Sequence, residues 1–257
     1  MLIIFNYLDV SPSCFAEIEL NRRKLGKVRF RRFDSNSRIL YIVIPTRTHE
    51  GLHLNLYMYI NVLSGQLRLW DFDARLIPSG AMTCRLVGSN DAEGTGGECG
   101  EGDSTECLLK SGIKWPALVI LAGDFETINE LREDMRWWFR ASDHAVKIAV
   151  LAKFDRQKEH ILLENWEEVV APPNAAALSQ NGIPEPSLRQ SIIITRDGGT
   201  TDPRSDRYQV TGGALVLDFE LLVLRQPVPP EGDFIISTED LQDYGLRVFT
   251  AANIGTF

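Results

Sequence analysis

The string His49-Glu50-Gly51-Leu52-His53 sets two imidazoles four residues apart with a carboxylate between them. On a helix both imidazoles share one face, and two ligands plus a general base is the arrangement of a zinc peptidase. The flanks depart from that pattern. Arg47 stands where an uncharged residue is usual, and Asn55 where a hydrophobic one is. His144 and His160 are the remaining histidines and offer no third-ligand pattern, so an acid would have to serve. At about 100° per residue, His49 falls toward the apolar stripe of Leu56 and Leu63, as a packed, hydrogen-bonded histidine at a helix start would. A second chemistry joins separate segments. Asp103 stands ahead of a strongly apolar run and could hold a divalent cation with residues at the end of that run. Two carboxylates on Mg²⁺ with a lysine nearby can cut phosphodiesters, because the metal stabilises developing charge and activates water.

Positive charge concentrates in one place. Arg22, Arg23, Lys24, Lys27, Arg29, Arg31 and Arg32 follow one another with no acid between them, and Phe30 and Phe33 interleave with the last of them. Such a stretch is either a solvated edge strand or a surface for nucleic-acid phosphates, with Arg29, Arg31 and Arg32 as the contacts. The net charge of −8 excludes a chain that coats nucleic acid by bulk charge, though not a local basic cleft. Hydrophobic residues make up 44% of the 257, which excludes wholesale disorder. No apolar run approaches the ~20 residues of a membrane helix, so no membrane association is expected. The opening Met-Leu-Ile-Ile-Phe lacks the basic flank of a signal peptide. Four cysteines at this length do not make a disulfide scaffold, and an intracellular setting, cytoplasmic or nuclear, is the expectation. Cys99 and Cys107 fit no common zinc spacing.

The elements that must position these residues follow from periodicity. Residues 116–122 are a continuous apolar run ended by Gly123, which reads as a strand buried on both faces. Thr127 and Glu130 have the spacing of a capping box, and Ile128, Leu131, Met135 and Trp138 then form one helical stripe. Residues 146–152 form a second buried strand and 160–163 a third. Strand, helix, strand of this length is a crossover unit with a parallel pair. Upstream, residues 38–44 read as a strand closed by Pro45, and Leu52, Leu56, Tyr59 and Leu63 mark a helix from near Thr48. Residues 88–102 mix Asp91, Glu93, Glu98 and Glu101 with six glycines, the composition of a mobile inserted loop. Residues 170–186 read as a linker. Beyond it, residues 191–195 and 214–224 look like strands, and a terminal helix begins with Thr238 as its cap.

Several segments in this order resemble a widespread fungal family of the PD-(D/E)XK nuclease-like superfamily. They are Pro45-Thr46-Arg47-Thr48-His49-Glu50, Gly102-Asp103-Ser104, the run from Lys114 through Gly123, and Leu131-Arg132-Glu133-Asp134-Met135-Arg136-Trp137-Trp138. Val146-Lys147-Ile148-Ala149-Val150, Glu164-Asn165-Trp166-Glu167, the run from Gly213 through Glu220, Arg225 and Glu231-Gly232-Asp233 extend the likeness almost to the C-terminus. The resemblance implies an α/β fold with a mixed central sheet flanked by helices. The restriction-endonuclease-like core would span residues 1–170, with a β-rich C-terminal extension, 171–257, packed on it. It makes Glu50 a feature of the first helix and Asp103 the expected aspartate. It also implies a degenerate site. Leu121 stands where the family has its metal-binding glutamate, and Gly123 stands at the superfamily lysine. Lys147 is then the candidate lysine, and Glu126 or Asp124 could substitute as the second acid, giving a metal pair of Asp103 and Glu126. The expected function is a nuclease-like protein with weak or no cleavage that binds nucleic acid or a protein. The alternatives are an active Mg²⁺-dependent nuclease using Glu50, Asp103 and a relocated acid, and the zinc peptidase of His49, Glu50 and His53.

Overall fold

The computed structural model describes residues 4–67, 69, 76–86, 98–108, 115–169, 185–196 and 207–253. The first half contributes β1 (Ile4–Tyr7), α1 (Pro12–Leu20), β2 (Arg29–Asp34), β3 (Ile39–Val43), α2 (Arg47–Gln66), β4 (Leu76–Pro78), β5 (Thr83–Arg85), β6 (Cys99–Glu101) and β7 (Ser104–Leu108). Then come β8 (Leu118–Gly123), α3 (Ile128–Ala141), β9 (Ile148–Asp155), β10 (His160–Val169), β11 (Glu185–Arg196), β12 (Tyr208–Thr211), β13 (Leu215–Leu217), α4 (Phe219–Val223), β14 (Phe234–Ile236) and α5 (Thr238–Asn253).

The run read as a two-faced strand is β8, and every one of its residues is buried. It lies inside a seven-stranded sheet of order β12-β11-β10-β9-β8-β7-β4. Its pairing with β9 is parallel, Leu118 opposite Ile148 and Gly123 opposite Lys153, and α3 makes the crossover. Alternation along β8 divides the core. Leu118, Ile120 and Ala122 meet Leu52, Leu56 and Ile60 of α2 and Leu241, Tyr244 and Val248 of α5. Val119 and Leu121 meet Leu131, Met135 and Trp138 of α3 on the other face. Burying each of these larger side chains contributes roughly 1.5–3 kcal/mol, so both helix layers are held by the same strand. The capping box forms as expected: Thr127 Oγ1 accepts from the Glu130 N–H, and a Glu130 carboxylate oxygen accepts from the Thr127 N–H at 2.7 Å. The result is a mixed α/β architecture with helices on both faces of the sheet. Among the described residues no helix is long and apolar enough to cross a membrane.

Four expectations need correction. The cationic stretch does not end in an edge strand: β2 is interior to a second, antiparallel sheet of order β1-β3-β2-β6-β5. Of the acidic loop, residues 87–97 lie outside the described residues. Its end is not loop at all, since Cys99–Glu101 is a fully buried strand paired to β2 and β5. Charge and glycine content hid it, because the one acid on this strand is neutralised by tertiary partners rather than by water. Residues 214–224 start as a strand but turn into α4 at Phe219, where Asp218 caps the helix by accepting from the Leu221 N–H. The terminal helix is capped one residue earlier than expected, by Ser237, whose Oγ accepts from the Asp240 N–H at 3.1 Å. Beyond the region expected to be a linker, of which 170–184 lie outside the described residues, β11 and β12 extend the seven-stranded sheet and α5 packs on α2.

Gly102 carries the chain between the two sheets. A Cβ there would meet Thr105 Cγ2 and Val119 Cγ2, each at 2.7 Å, so only glycine lets the turn press onto β8. That close approach is what seats the next residue, Asp103, against the strand: its N–H donates to the Ile120 carbonyl at 3.1 Å.

Glu106 on β7 is fully buried, and neither carboxyl oxygen finds a hydrogen bond, although the Tyr57 hydroxyl lies near. Burial pushes its carboxyl up to about 8. The folded chain therefore holds this proton more tightly than the unfolded chain, and Glu106 costs stability increasingly as pH rises from 4.5 toward 8. Glu106→Gln should leave stability unchanged below pH ~4.5 and raise it by about 1–3 kcal/mol near pH 8. Denaturant melts across that range check this; a pH-independent difference would contradict it.

Candidate active site

Two phenylalanines three residues apart face opposite sides of a regular strand. In β2 they face the same side, because a bulge at Arg31 shifts the register between Phe30 and Arg32. Phe30 and Phe33 enter a core with Phe15, Leu40 and Cys99. The same bulge turns Arg31 and Arg32 together toward Asp134 on α3. Arg31 Nε donates to Asp134 Oδ2, and an Arg32 guanidinium nitrogen lies 3.5 Å from Oδ1. Arg29, two residues before the bulge, points instead to α2 and to Asp103.

The start of α2 is fixed by Thr46. Its Oγ1 accepts from the His49 N–H at 3.0 Å and donates to Asp124 Oδ2 at 2.8 Å. Asp124 also takes two bonds from Arg156, at 2.8 and 2.7 Å. This tie holds the helix N-terminus, the end of β8 and the β9–β10 turn together.

These supports close a cage of charges. The Arg29 guanidinium donates to Glu50 Oε1 at 2.8 Å and to the Asp103 carbonyl at 3.0 Å, and lies 3.4 Å from Asp103 Oδ1. His49 Nε2 lies 3.2 Å from the same Oδ1. His53 Nε2 lies 3.3 Å from Glu50 Oε1, while its Nδ1 is bonded to Ser104 Oγ at 2.8 Å. The second Asp103 oxygen accepts from the Ala122 N–H at 2.8 Å. Burial works against charge throughout, and the partners outweigh it. Asp103, with Glu50 and Glu126 adding to it, pushes His49 up to about 10. His49 and Arg29, among other neighbours, hold Asp103 and Glu50 well below the usual carboxylate range.

Beside the cage is a polar pocket of about 10 Å³, bounded by Arg31, His49, Asp103, Leu121, Glu126 and Asp134. That is room for about one water-sized occupant. Glu126 is 1% exposed; its Oε2 accepts from the Asp124 and Phe125 N–H groups, but Oε1 has no hydrogen bond, with Arg31 4.0 Å away. Leu121 presents an apolar wall there and belongs to the α3 side of the core. Open clefts flank the pocket. One, about 510 Å³, is lined by Phe125, Glu126, Lys153, Arg156 and Lys158; the other, about 560 Å³, by Arg22, Lys27, Arg29, Arg47 and Glu50.

The structure therefore brings Glu50, Asp103, Glu126 and Leu121 to one place, with Arg29 and Arg31 among them. It does not bring Lys147, whose ammonium donates to the His144 carbonyl at the opposite end of β9. At the end of β8 the lysine is Lys153. It stands across from Gly123, and its ammonium donates to the Asp124 carbonyl at 2.9 Å. Burial lowers its pKa, against the pull of Glu126 and Asp124. Sliding the two apolar runs into parallel register from Leu118 and Ile148 would have found it. Glu101 and Asp134 were also missed; Glu101 binds Arg22, the Thr83 hydroxyl at 2.9 Å and the Phe30 N–H at 3.0 Å.

Comparison with protein-family models and with curated proteins gives no match. The chemistry of the cluster must be read from its own atoms. Among the described residues, one group could hold a metal ion: ligand atoms of His49, His53 and Asp103 lie within 4.8 Å of one another. The acids around it already have internal cations. Glu50 and Asp103 have Arg29, Glu101 has Arg22, Asp124 has Arg156, and Asp134 has Arg31 and Arg32.

Removing one partner of a buried ion pair leaves the other charge uncompensated, at a cost of about 3–5 kcal/mol. Arg29→Ala should destabilise the protein by that order near neutral pH, and Arg29→Lys by less. Equilibrium denaturation checks this; a loss below about 1 kcal/mol for the alanine would mean that Glu50 and Asp103 do not depend on the guanidinium.

Proposed function

We propose that this chain is a nuclease-like protein of the PD-(D/E)XK type whose cation position has passed to its own arginines, leaving a scaffold that binds nucleic acid or protein with weak or no phosphodiester cleavage. The observation that carries the reading is Arg29, 2.8 Å from Glu50 Oε1 and 3.4 Å from Asp103 Oδ1. Mg²⁺ needs an octahedron of hard oxygens. Here the first-helix glutamate and the expected aspartate are spent on a guanidinium and an imidazolium, and Leu121 supplies no oxygen. Asp103 and Leu121, apart in sequence, line one pocket of a mixed sheet flanked by helices, and Glu50 joins Asp103 through Arg29, which supports the likeness.

The side chains of Arg29, Arg31 and Arg32 are 16%, 12% and 18% exposed and engaged with internal acids. Salt-dependent attraction of a polyanion therefore falls to the exposed Lys27 and Arg47 in one cleft and to Lys158 in the other.

A second reading has specific support. Glu126 keeps a buried oxygen without a hydrogen bond in the pocket it shares with Asp103, and Lys153 stands beside the position of the superfamily lysine. In an active Mg²⁺-dependent nuclease, Asp103 and Glu126 would hold the ion, which would polarise the phosphodiester, with Lys153 near the scissile group.

Cleavage of DNA and RNA with Mg²⁺ and Mn²⁺ separates the two. Wild-type protein should cleave little or not at all with either ion, and any Mn²⁺-dependent rise in its Tm should be smaller than that of Leu121→Glu. Leu121→Glu restores a carboxylate beside Asp103 and should gain a Mn²⁺-dependent Tm increase, because a ligand bound only by the folded state stabilises it. Robust wild-type cleavage that disappears in Asp103→Ala and Glu126→Gln would instead establish the active reading.

A further inference from the structure

We infer that His49, His53 and Asp103 form a site for a borderline divalent ion, zinc before others, with Arg29 as the side chain that leaves when the ion enters. The donor set argues for this class of ion. Two imidazoles and a carboxylate suit Zn²⁺ and its first-row neighbours, whereas Mg²⁺ takes oxygen ligands. Spacing agrees. Ligands about 2.0–2.2 Å from a tetrahedral ion stand about 3.4 Å from each other. His49 Nε2 is 3.2 Å from Asp103 Oδ1, and all three ligand atoms lie within 4.8 Å of one another and would draw in around an ion. Glu50 Oε1, 3.3 Å from His53 Nε2, offers a fourth position.

Two further observations are independent of spacing. His49 is 1% exposed, yet its Nδ1 makes no hydrogen bond and stands 3.6 Å from Glu50 Oε1. With Nε2 on the ion, Nδ1 would carry the ring proton, and the Glu50 carboxylate is the acceptor it faces. His53 is anchored through the nitrogen that a metal would not take. Ser104 Oγ holds its Nδ1 at 2.8 Å and fixes the ring with Nε2 toward the cage, as the outer partner of a ligating histidine does.

Arg29 has somewhere to go. It lines both the small pocket and the open cleft of about 560 Å³ that holds Lys27 and Arg47. Swinging outward would release Glu50 and Asp103 without moving β2. With both histidines buried, no polypeptide reaches the ion, so the site is structural or regulatory rather than hydrolytic. This goes beyond the function proposed above and is tested apart from it, since no cleavage assay enters.

The test uses the full chain, stripped with a chelator and titrated with Zn²⁺ by calorimetry and with Co²⁺ by visible absorption. The four arms are wild type, the double variant His144→Gln/His160→Gln, His53→Gln and Arg29→Met. Wild type and the double variant should each take one ion per chain. His53→Gln should bind at least about tenfold more weakly, and Arg29→Met at least about tenfold more tightly. Absence of one-to-one binding in wild type overturns the inference, even if Arg29→Met binds. Binding that survives His53→Gln, or that is lost in the double variant, assigns the ion elsewhere and overturns it too. An unchanged affinity in Arg29→Met overturns the role of Arg29. If His53→Gln fails to fold by circular dichroism, His49→Gln takes its place, and one-to-one binding that survives that change overturns the inference.

Discussion

A carboxylate cannot be buried alone. Around the C-terminal end of β8, Glu101, Asp103, Asp124, Glu126 and Asp134 gather where little water reaches, with the half-exposed Glu50 at their edge, and much of the surrounding structure answers that demand. Desolvating each would cost several kcal/mol if nothing opposed it. The compensating charges come from elements remote in sequence: Arg22, Arg29, Arg31 and Arg32 from the N-terminal sheet and Arg156 from the β9–β10 turn. The N-terminal sheet is thereby joined to the larger one by charge as well as by apolar contact. Such pairs add little net stability compared with a hydrophobic replacement, but they fix geometry, because any misplacement leaves a charge stranded.

Apolar packing sets where those charges can meet. The residues of β8 face α2 and α5 on one side and α3 on the other, so the strand end is held between two helix layers. Asp103 is pinned to that strand through both its N–H and its carboxylate. The helix that carries His49, Glu50 and His53 is pinned to it through Thr46 and Asp124. A cluster held this way on rigid elements has little freedom to adapt to a ligand except through Arg29 and Glu50, the cage residues that also line an open cleft.

What was legible in the sequence was whatever depends on near neighbours. The crossover from β8 through α3 to β9, the capping box at Thr127 and the long helix carrying the two histidines all follow from period and spacing, because local propensity and burial agree there. The site was legible only in part. Asp103 was read from its place ahead of the apolar run and Glu50 from the string of two histidines. The resemblance strengthened both as nuclease-like positions, and Glu126 followed from proximity to the strand end. Lys153 was overlooked because cross-strand register, not sequence distance, decides which lysine is near. The paired state of the arginines could not be read at all. A run of cations looks solvated until the acids that neutralise it, some of them about a hundred residues away, are brought alongside. Cys99–Glu101 failed for the same reason: its composition is that of a loop, and its burial is a tertiary fact.

The bulge in β2 acts as a phase shifter. Upstream of Arg31 the strand addresses α2, and from Arg31 onward it addresses α3, so one short strand serves two charge clusters with opposite halves. Removing a single residue here would do more than shorten a strand. Deleting Arg31 would remove its bond to Asp134 and regularise the strand. Straightening the bulge at constant length would instead put Phe30 and Phe33 on opposite faces. Substitutions within either half are local matters, whereas a change of length couples both. The bulge and the arginines on either side of it act together: the one sets the direction, the others supply the charge.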